Sequence, residues 1–519
     1  MTDIRVAEVT AALSLTTDLA TGVPFEKGLR VCLVADELAT RLGLPEEERA
    51  AIYQTTLLRS IGCTSHAPEN AAEFVDDVAF QHALKLLDPG DQTVFGAQLQ
   101  QFGSWSGTPD RLSARFLEIA PTVGPHAAST GCEISRALAP GLGACAAAVS
   151  ALDDVYERWD GLGIPAGRSQ QEVSRPARVM HVAEQAVLAQ VTGGTDGARA
   201  EVVRRAAGHL DPEIAAAFAA DAEQILTVTE VPDILESVLA REPEPWTSVD
   251  LDGLPNLVRV LGDVADLKSV HLVGHSAHLA RTVSAAGARA GLPDEEIALL
   301  VSAAHLHNLG CVVVPSSLLD SDRPPGAAER ERLRLHGYWT RRILERCPSL
   351  AGLEPLTRPP SVLHAAFAEA GYRTWERPSD LPRHGDQSFG ARVLEAAEAL
   401  CTLTEARPGR PPLGLREAEQ VLRDAAVAGR LSADAVEAVL GGSPAAPTSA
   451  GALTSRELEI LRYAARGWSN KQIAAHLVIS ERTVGHHLAH VYDKTGHRTR
   501  AGVAVWAAQR GLLPEPPHE

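Results

Sequence analysis

The sequence predicts an all-α chain: two tandem helical domains followed by a small C-terminal helix-turn-helix domain. Three observations carry this. First, a helical stretch occurs twice. Residues 27–63 match residues 275–311 without a gap at an offset of 248, with Arg41/Arg289, Gly43/Gly291, Leu44/Leu292, Pro45/Pro293, Glu47/Glu295, Gly62/Gly310 and Cys63/Cys311 identical. Asp18 and Leu19 fall on Asp266 and Leu267 under the same offset. Glycines and a proline in register mark two copies of one unit. Second, aromatic residues are only 4% of the chain while alanine and leucine dominate, which suits helix packed on helix. Third, the last sixty or so residues hold short helical patterns separated by cap and stop residues.

Composition bounds the rest. A chain of 519 residues should divide into two to four domains. An apolar fraction of 45% and a charged fraction of 22% are ordinary for a soluble globular protein. No run of about 18 uncharged apolar residues occurs, so no membrane span is expected. The N-terminus lacks the basic, apolar and small-residue pattern of a signal peptide, and a cytoplasmic location is expected. The seven cysteines (Cys32, Cys63, Cys132, Cys145, Cys311, Cys347, Cys401) are scattered and form no CxxC. That spacing fits a reducing compartment and argues against structural zinc or a disulfide framework. The formal net charge is −18, but residues 451–513 hold nine Lys/Arg against four Asp/Glu, a net +5. Glu515 and Glu519 beyond that stretch add −2, so the first 450 residues carry −21. Such an acidic body does not bind nucleic acid unaided, whereas the basic end is suited to it.

Taken in order, Val9, Ala12 and Leu13 suggest a short leading helix, capped by a turn over Asp18–Pro24. Leu29, Cys32, Leu33, Ala35 and Leu38 recur near a period of 3.6, and two helices are expected around Gly43-Leu44-Pro45. Residues 64–150 read as helical, with breaks at Pro89-Gly90, Gly103–Gly107 and Pro140-Gly141. Pro243, Pro245 and the polar run Ser248–Asp252 mark a boundary. The expected domains are residues 1–245, 250–442 and 453–513, with a small, polar, proline-bearing linker over 443–452.

Helix, Gly-Leu turn and a second helix ending in His307-Asn308 resemble the HD superfamily of metal-dependent phosphohydrolases. The flanking pieces resemble its HD-GYP branch, the cyclic di-GMP phosphodiesterases. In the first copy Glu157, Arg158, Asp160, Gly161, Gly163, Pro165 and Gly167 match the GYP-loop signature, while Val155, Tyr156 and Ile164 depart from it. Lys27, Arg59 and Ser60 stand at ligand positions, so of the family's set only Glu184 survives there. In the second copy the resemblance implies a ligand set of His275, His307, Asn308, His336, His364 and Glu398, able to hold one divalent transition metal. Asn308 stands where the family's aspartate bridges two metals. Cys311 replaces a lysine, and Ala365 and Ala366 remove two further positions. A binuclear centre without its bridging charge predicts impaired hydrolysis.

At the C-terminus Thr454 and Glu457 form a capping box, Ser469 caps a short helix, and Ser480 caps a third that stops at Gly496. Two short helices with a tight turn, the second basic, have the geometry that enters a major groove. This stretch resembles the LuxR-type helix-turn-helix, through Leu453-Thr454, Arg456-Glu457, Gly467, Ser469-Asn470-Lys471, Ile473-Ala474, Leu477, Ile479-Ser480, Thr483-Val484, His487, Lys494 and Gly496. The resemblance implies that Asn470, Lys471, Ser480, Arg482, Thr483 and Lys494 serve DNA contact. Lys471, Thr483 and Lys494 would hold phosphates, and Val484, His486 and His487 would face bases. Gly485 departs from the family, which commonly has lysine there. The whole reads as a bacterial transcription regulator whose body is expected to sense a ligand such as a nucleotide, or to hold a homodimer. Its partners are duplex DNA and RNA polymerase. Val505 and Trp506 of the last helix are candidate domain contacts. The alternative is a metal-dependent cyclic-dinucleotide phosphodiesterase fused to a DNA-binding domain.

Overall fold

A computed structural model describes residues 3–357, 387–441 and 453–513. The chain forms two compact units, residues 4–248 and residues 249–519 together with residues 1–3. His364, Ala365, Ala366, Gly371, Tyr372 and the linker at 443–452 lie outside the described residues.

In the first unit, α1 (Val6–Ala20), α2 (Lys27–Arg41) and α3 (Glu46–Leu58) open the bundle. The turn between α2 and α3 is the expected one: Gly43 takes a positive φ of 64°, which a residue without a Cβ adopts without strain, and Pro45 stops further winding. Helices α4 (Pro109–Leu138) and α5 (Arg175–Arg205) are long, and α5 is broken at Gly194, whose φ is 61°. Val31, Val34 and Leu38 of α2 pack against Val182 and Ala186 of α5, with Phe218 and Leu226 closing the core. The lobe between α3 and α4 differs from the Ala/Leu packing that composition suggests. Phe74, Phe80, Phe95, Phe102 and Phe116 gather there with Trp105, five of the chain's nine phenylalanines, so aromatic edge and stack contacts hold it.

The second unit repeats the plan with α6 (Leu254–Asp266), α7 (His275–Arg289) and α8 (Asp294–Leu306), then α9 (Ala327–Arg346) and α10 (Phe389–Thr404). Helices α11 (Leu415–Val427) and α12 (Ala433–Leu440) close it. Leu279, Val283, Leu300, Val393, Leu394, Leu422 and Val436 form its core. One close approach recurs in both units. A Cβ on Gly310 would lie 1.9 Å from the His336 carbonyl oxygen of α9, and one on Gly62 would lie 2.2 Å from the Gly131 carbonyl oxygen of α4. The glycines shared by the repeat are therefore where a long helix crosses the end of the pair. By composition alone residues Asp294–Val313 could cross a membrane, but 72% of that stretch's most apolar window is buried inside the unit.

Four short helices lie in the described residues 453–513: α13 (Ser455–Ala465), α14 (Asn470–Leu477), α15 (Glu481–Thr495) and α16 (Arg500–Gln509). The capping box at Thr454/Glu457 forms, Ser469 and Ser480 accept from the backbone as expected, and Gly496 ends α15 with φ 75°. Ile460, Ala464, Ile473, Val484 and Leu488 make one core, and Leu461, Val491, Val503, Ala507 and Leu512 the other, with Val273 packed against the latter. The C-terminal end is seated on the start of α7. Gln509 Nε2 donates to Asp263 Oδ2 at 3.0 Å, and a Cβ on Gly274 would meet Leu513 at 3.1 Å and Ala508 at 3.2 Å.

Candidate metal centre and DNA interface

The second copy gathers three of its expected ligands. His275 opens α7, His307 follows the last residue of α8, and Glu398 sits in the middle of α10. One donor atom from each lies within 4.8 Å of the others, and all three residues are buried. Glu398 Oε2 is 3.1 Å from His275 Nε2 and 3.6 Å from His307 Nε2. The His307 ring is oriented by its other nitrogen: Nδ1 lies 2.7 Å from the Ala304 carbonyl oxygen, which can only accept. Nδ1 therefore carries the proton, and the Nε2 lone pair faces the carboxylate. Burial keeps this imidazole neutral, its pKa pushed down to about 4 despite Glu398 nearby. A lone pair facing a carboxylate oxygen is repulsive unless a cation stands between them. His275 Nε2, His307 Nε2, Glu398 Oε2 and both amide atoms of Asn308 are buried without an aligned hydrogen-bond partner. The converging donor set of two imidazoles and a carboxylate thus fits a divalent transition metal.

His336 stands at the margin. Its Nδ1 lies 2.8 Å from the Leu333 carbonyl, and burial lowers its pKa, with Glu398 close enough to oppose that shift. It is not among the three residues with converging donors. Cys311 is fully buried, and burial pushes its thiol up.

Sequence reasoning missed the residues around this set. His275 Nδ1 lies 2.7 Å from Glu405 Oε2, and the other oxygen of Glu405 lies 2.7 Å from His278 Nδ1. Arg407 Nη2 donates to Glu405 Oε2 at 2.8 Å. A carboxylate behind a ligating histidine fixes its ring and raises its basicity. Burial opposes a charge on His275, but Glu405 and Glu398 outweigh it and hold its pKa well above the ordinary value.

In the first copy the corresponding place is filled with cations. Lys27 and Arg59, at the positions of His275 and His307, both pair with Glu184: Lys27 Nζ contacts its Oε1, which also accepts from Arg59 Nε at 3.2 Å. Lys85 Nζ joins at 3.4 Å, and Arg59 also faces Asp18 at 3.6 Å. Burial works against the charge on Glu184, but Lys27, Lys85 and Arg59 keep its pKa well below the ordinary value. The scaffold behind is the same: Asp18 accepts from the Gly28 N–H at 2.8 Å, and Asp266 from the Ser276 N–H at 2.9 Å. The loop at 160–167 is closed on its own chain. Glu157 accepts from the Ala166 and Arg168 N–H groups at 2.8 and 3.0 Å, and Arg158 is paired to Asp88 and Asp160.

At the basic end, Lys471, Ser480, Arg482 and His486 are exposed and Thr483 and His487 partly so. Val484 corrects the expectation that it faces bases. It is fully buried and packs with Ile473 and Leu488, because the α15 face that carries it is the one turned to α13 and α14. Asn470 accepts from Arg500 at 2.9 Å, and Lys494 pairs with Glu457 at 2.6 Å. A Cβ on Gly485 would meet only Asn470, at 3.9 Å, so the position has room for a side chain. Val505 is buried, while Trp506 is half-buried under Arg510.

Residues 451–507 match the family described as bacterial regulatory proteins, luxR family, and residues 259–431 match the HD domain. The chain joins an HD domain to a LuxR-type DNA-binding domain. Over 427 residues it is 23% identical to the 3'3'-cGAMP-specific phosphodiesterase 3 of Vibrio cholerae, spanning 80% of this chain and 90% of that protein. The crystal structure of a cyclic GMP-AMP specific phosphodiesterase from V. cholerae superposes with a TM-score of 0.57 at 20% identity, covering 85% of this chain and 98% of that one. That match carries the fold. The probable transcriptional regulatory protein SgaR of Hyphomicrobium methylovorum is 44% identical over 89 residues, which are 16% of this chain and 40% of that protein.

Proposed function

We propose that this protein is a cytoplasmic transcription regulator whose body descends from tandem HD-GYP phosphodiesterases and now senses rather than hydrolyses. The observation that carries the reading is the seat of the DNA-binding domain. Ala508 and Leu513 rest on Gly274, the residue next to the candidate metal ligand His275. A change in the first turn of α7 on ligand or metal binding reaches the C-terminal domain without an intervening element. Expected partners are duplex DNA, RNA polymerase, a nucleotide ligand and a second copy of the chain. His275, His307 and Glu398, with Asn308 beside them and His336 and His364 in reserve, would hold one divalent metal. In an HD centre such a metal polarises a phosphoryl oxygen and activates water. Asn308 brings an amide where a bridging carboxylate is needed, and the first copy meets its own carboxylate with lysine and arginine, so hydrolysis is proposed to be impaired.

The test is to measure operator-independent duplex binding by the full chain at low salt, stripped of metal and again after manganese or iron is restored. DNA affinity should change with metal in the native protein and not in His307→Ala. A chain that binds no duplex DNA under either condition sinks the regulator reading. The similarity to the cGAMP phosphodiesterase along most of the chain favours a second reading, a phosphodiesterase acting on a cyclic dinucleotide. Metal-dependent turnover that disappears in His307→Ala would establish it.

A further inference from the structure

We propose that His278, Cys401 and Glu405 form a second metal site, suited to zinc, one helical turn along the same two helices from the His275–Glu398 pair. The placement follows from helix geometry. His278 is three residues after His275 on α7, and Cys401 is three residues after Glu398 on α10. Residues at i and i+3 lie on one face, so the two helices that bring His275 to Glu398 also bring His278 to Cys401. Glu405, just past the end of α10, completes the group. The ring nitrogen, thiol sulfur and carboxylate oxygen lie within 4.8 Å of one another.

Imidazole, thiolate and carboxylate together are a zinc donor set, and three protein ligands leave a fourth position for water. An ion has a way in, because the side chains of His278 and Glu405 are 18% and 19% exposed while Cys401 lies beneath them, fully buried. Binding displaces the proton from the Cys401 thiol and the hydrogen bond between His278 Nδ1 and Glu405 Oε1, releasing protons to solvent. Glu405 keeps its second oxygen on His275 Nδ1 and on Arg407, so it serves both clusters at once. Scattered cysteines without CxxC had argued against zinc, but that argument covers sites made from one short loop. Here the spacing is split between two helices, as His275-x-x-His278 and Glu398-x-x-Cys401.

The inference does not rest on the regulator reading or on the first centre being filled. Its test is to strip the full-length protein with a chelator and titrate it with cobalt(II), which reports thiolate ligation by a near-ultraviolet charge-transfer band. The band is expected in the native chain and in His307→Ala, which disables the first centre only. It is expected to vanish in Cys401→Ser. Because Cys401 is buried and its variant can misfold, His278→Ala, at a partly exposed position, carries the same test: the band should require at least about tenfold more cobalt. Zinc content after reloading should fall by one ion per chain in His278→Ala relative to the native protein. No band in the native chain, or a band unaltered in Cys401→Ser or His278→Ala, overturns the site. Loss of the band in His307→Ala also overturns it, by placing the thiolate in the first centre.

Discussion

At the scale of single residues, charge placement separates the two halves of the body. Glu184 holds Lys27, Arg59 and Lys85 together, and Lys27 and Arg59 are almost fully buried. Glu184→Gln leaves those cations with only Asp18, 3.6 Å from Arg59, as counter-charge, which should destabilise the first unit by about 3 kcal/mol in denaturant unfolding. In the second unit the matching positions are imidazoles, and their protons would compete with the proposed metal. His275 must shed its proton to bind, and its pKa is held well above the ordinary one. Protons therefore compete as pH falls: affinity at the first centre should rise about tenfold per pH unit through neutrality. A pH-independent affinity between about pH 6 and 8 would contradict that assignment. Gly485 offers a gain instead of a loss. With only Asn470 in ordinary contact distance of a Cβ there, Gly485→Lys should stabilise the helix by about 0.5–1 kcal/mol. It should also tighten duplex binding and steepen its salt dependence by about one unit of slope, readable by fluorescence anisotropy over a salt series.

At the scale of elements, the repeat gave away the framework. Gly43-Leu44-Pro45 and Gly291-Leu292-Pro293 turn as their residues require, and the capped helices of the DNA-binding domain begin at Thr454, Ser469 and Ser480 as read. Local chemistry set these, so the sequence alone was enough. What it did not reveal depends on contacts between distant segments. Nothing in the order of residues says that Glu405 reaches back to His275, 130 positions earlier, or that Lys85 joins Glu184. Val484 departs from the role the resemblance implies because motif matching does not say which face of α15 the neighbouring helices cover. Gly62 and Gly310 were legible as repeat landmarks, but their purpose lies in helix crossing. Gly310→Ala would drive its methyl into the His336 carbonyl and push α9 aside, at a cost of about 1–3 kcal/mol or more. Gly62→Ala should do the same to α4 in the first unit, and thermal unfolding of each variant reads the difference.

At the scale of the whole molecule, an acidic body carries a basic end, and the end is seated beside the candidate ligand His275 through Gly274, Gln509 and Leu513. Gln509→Ala removes the hydrogen bond to the buried Asp263, whose pKa burial has already pushed up to about 6. Duplex affinity should then lose its dependence on metal while the salt slope stays unchanged, since no phosphate contact is touched. An affinity still coupled to metal in that variant would separate the seat from the signal. The filled cluster around Glu184 has a further use. It has the repeat's architecture with lysine and arginine paired to its carboxylate, and is expected to bind no metal. Each polypeptide thus brings its own blank: whatever a chelator changes in residues 249–441 but leaves untouched in residues 4–248 is read against an internal reference, at identical concentration and in the same tube.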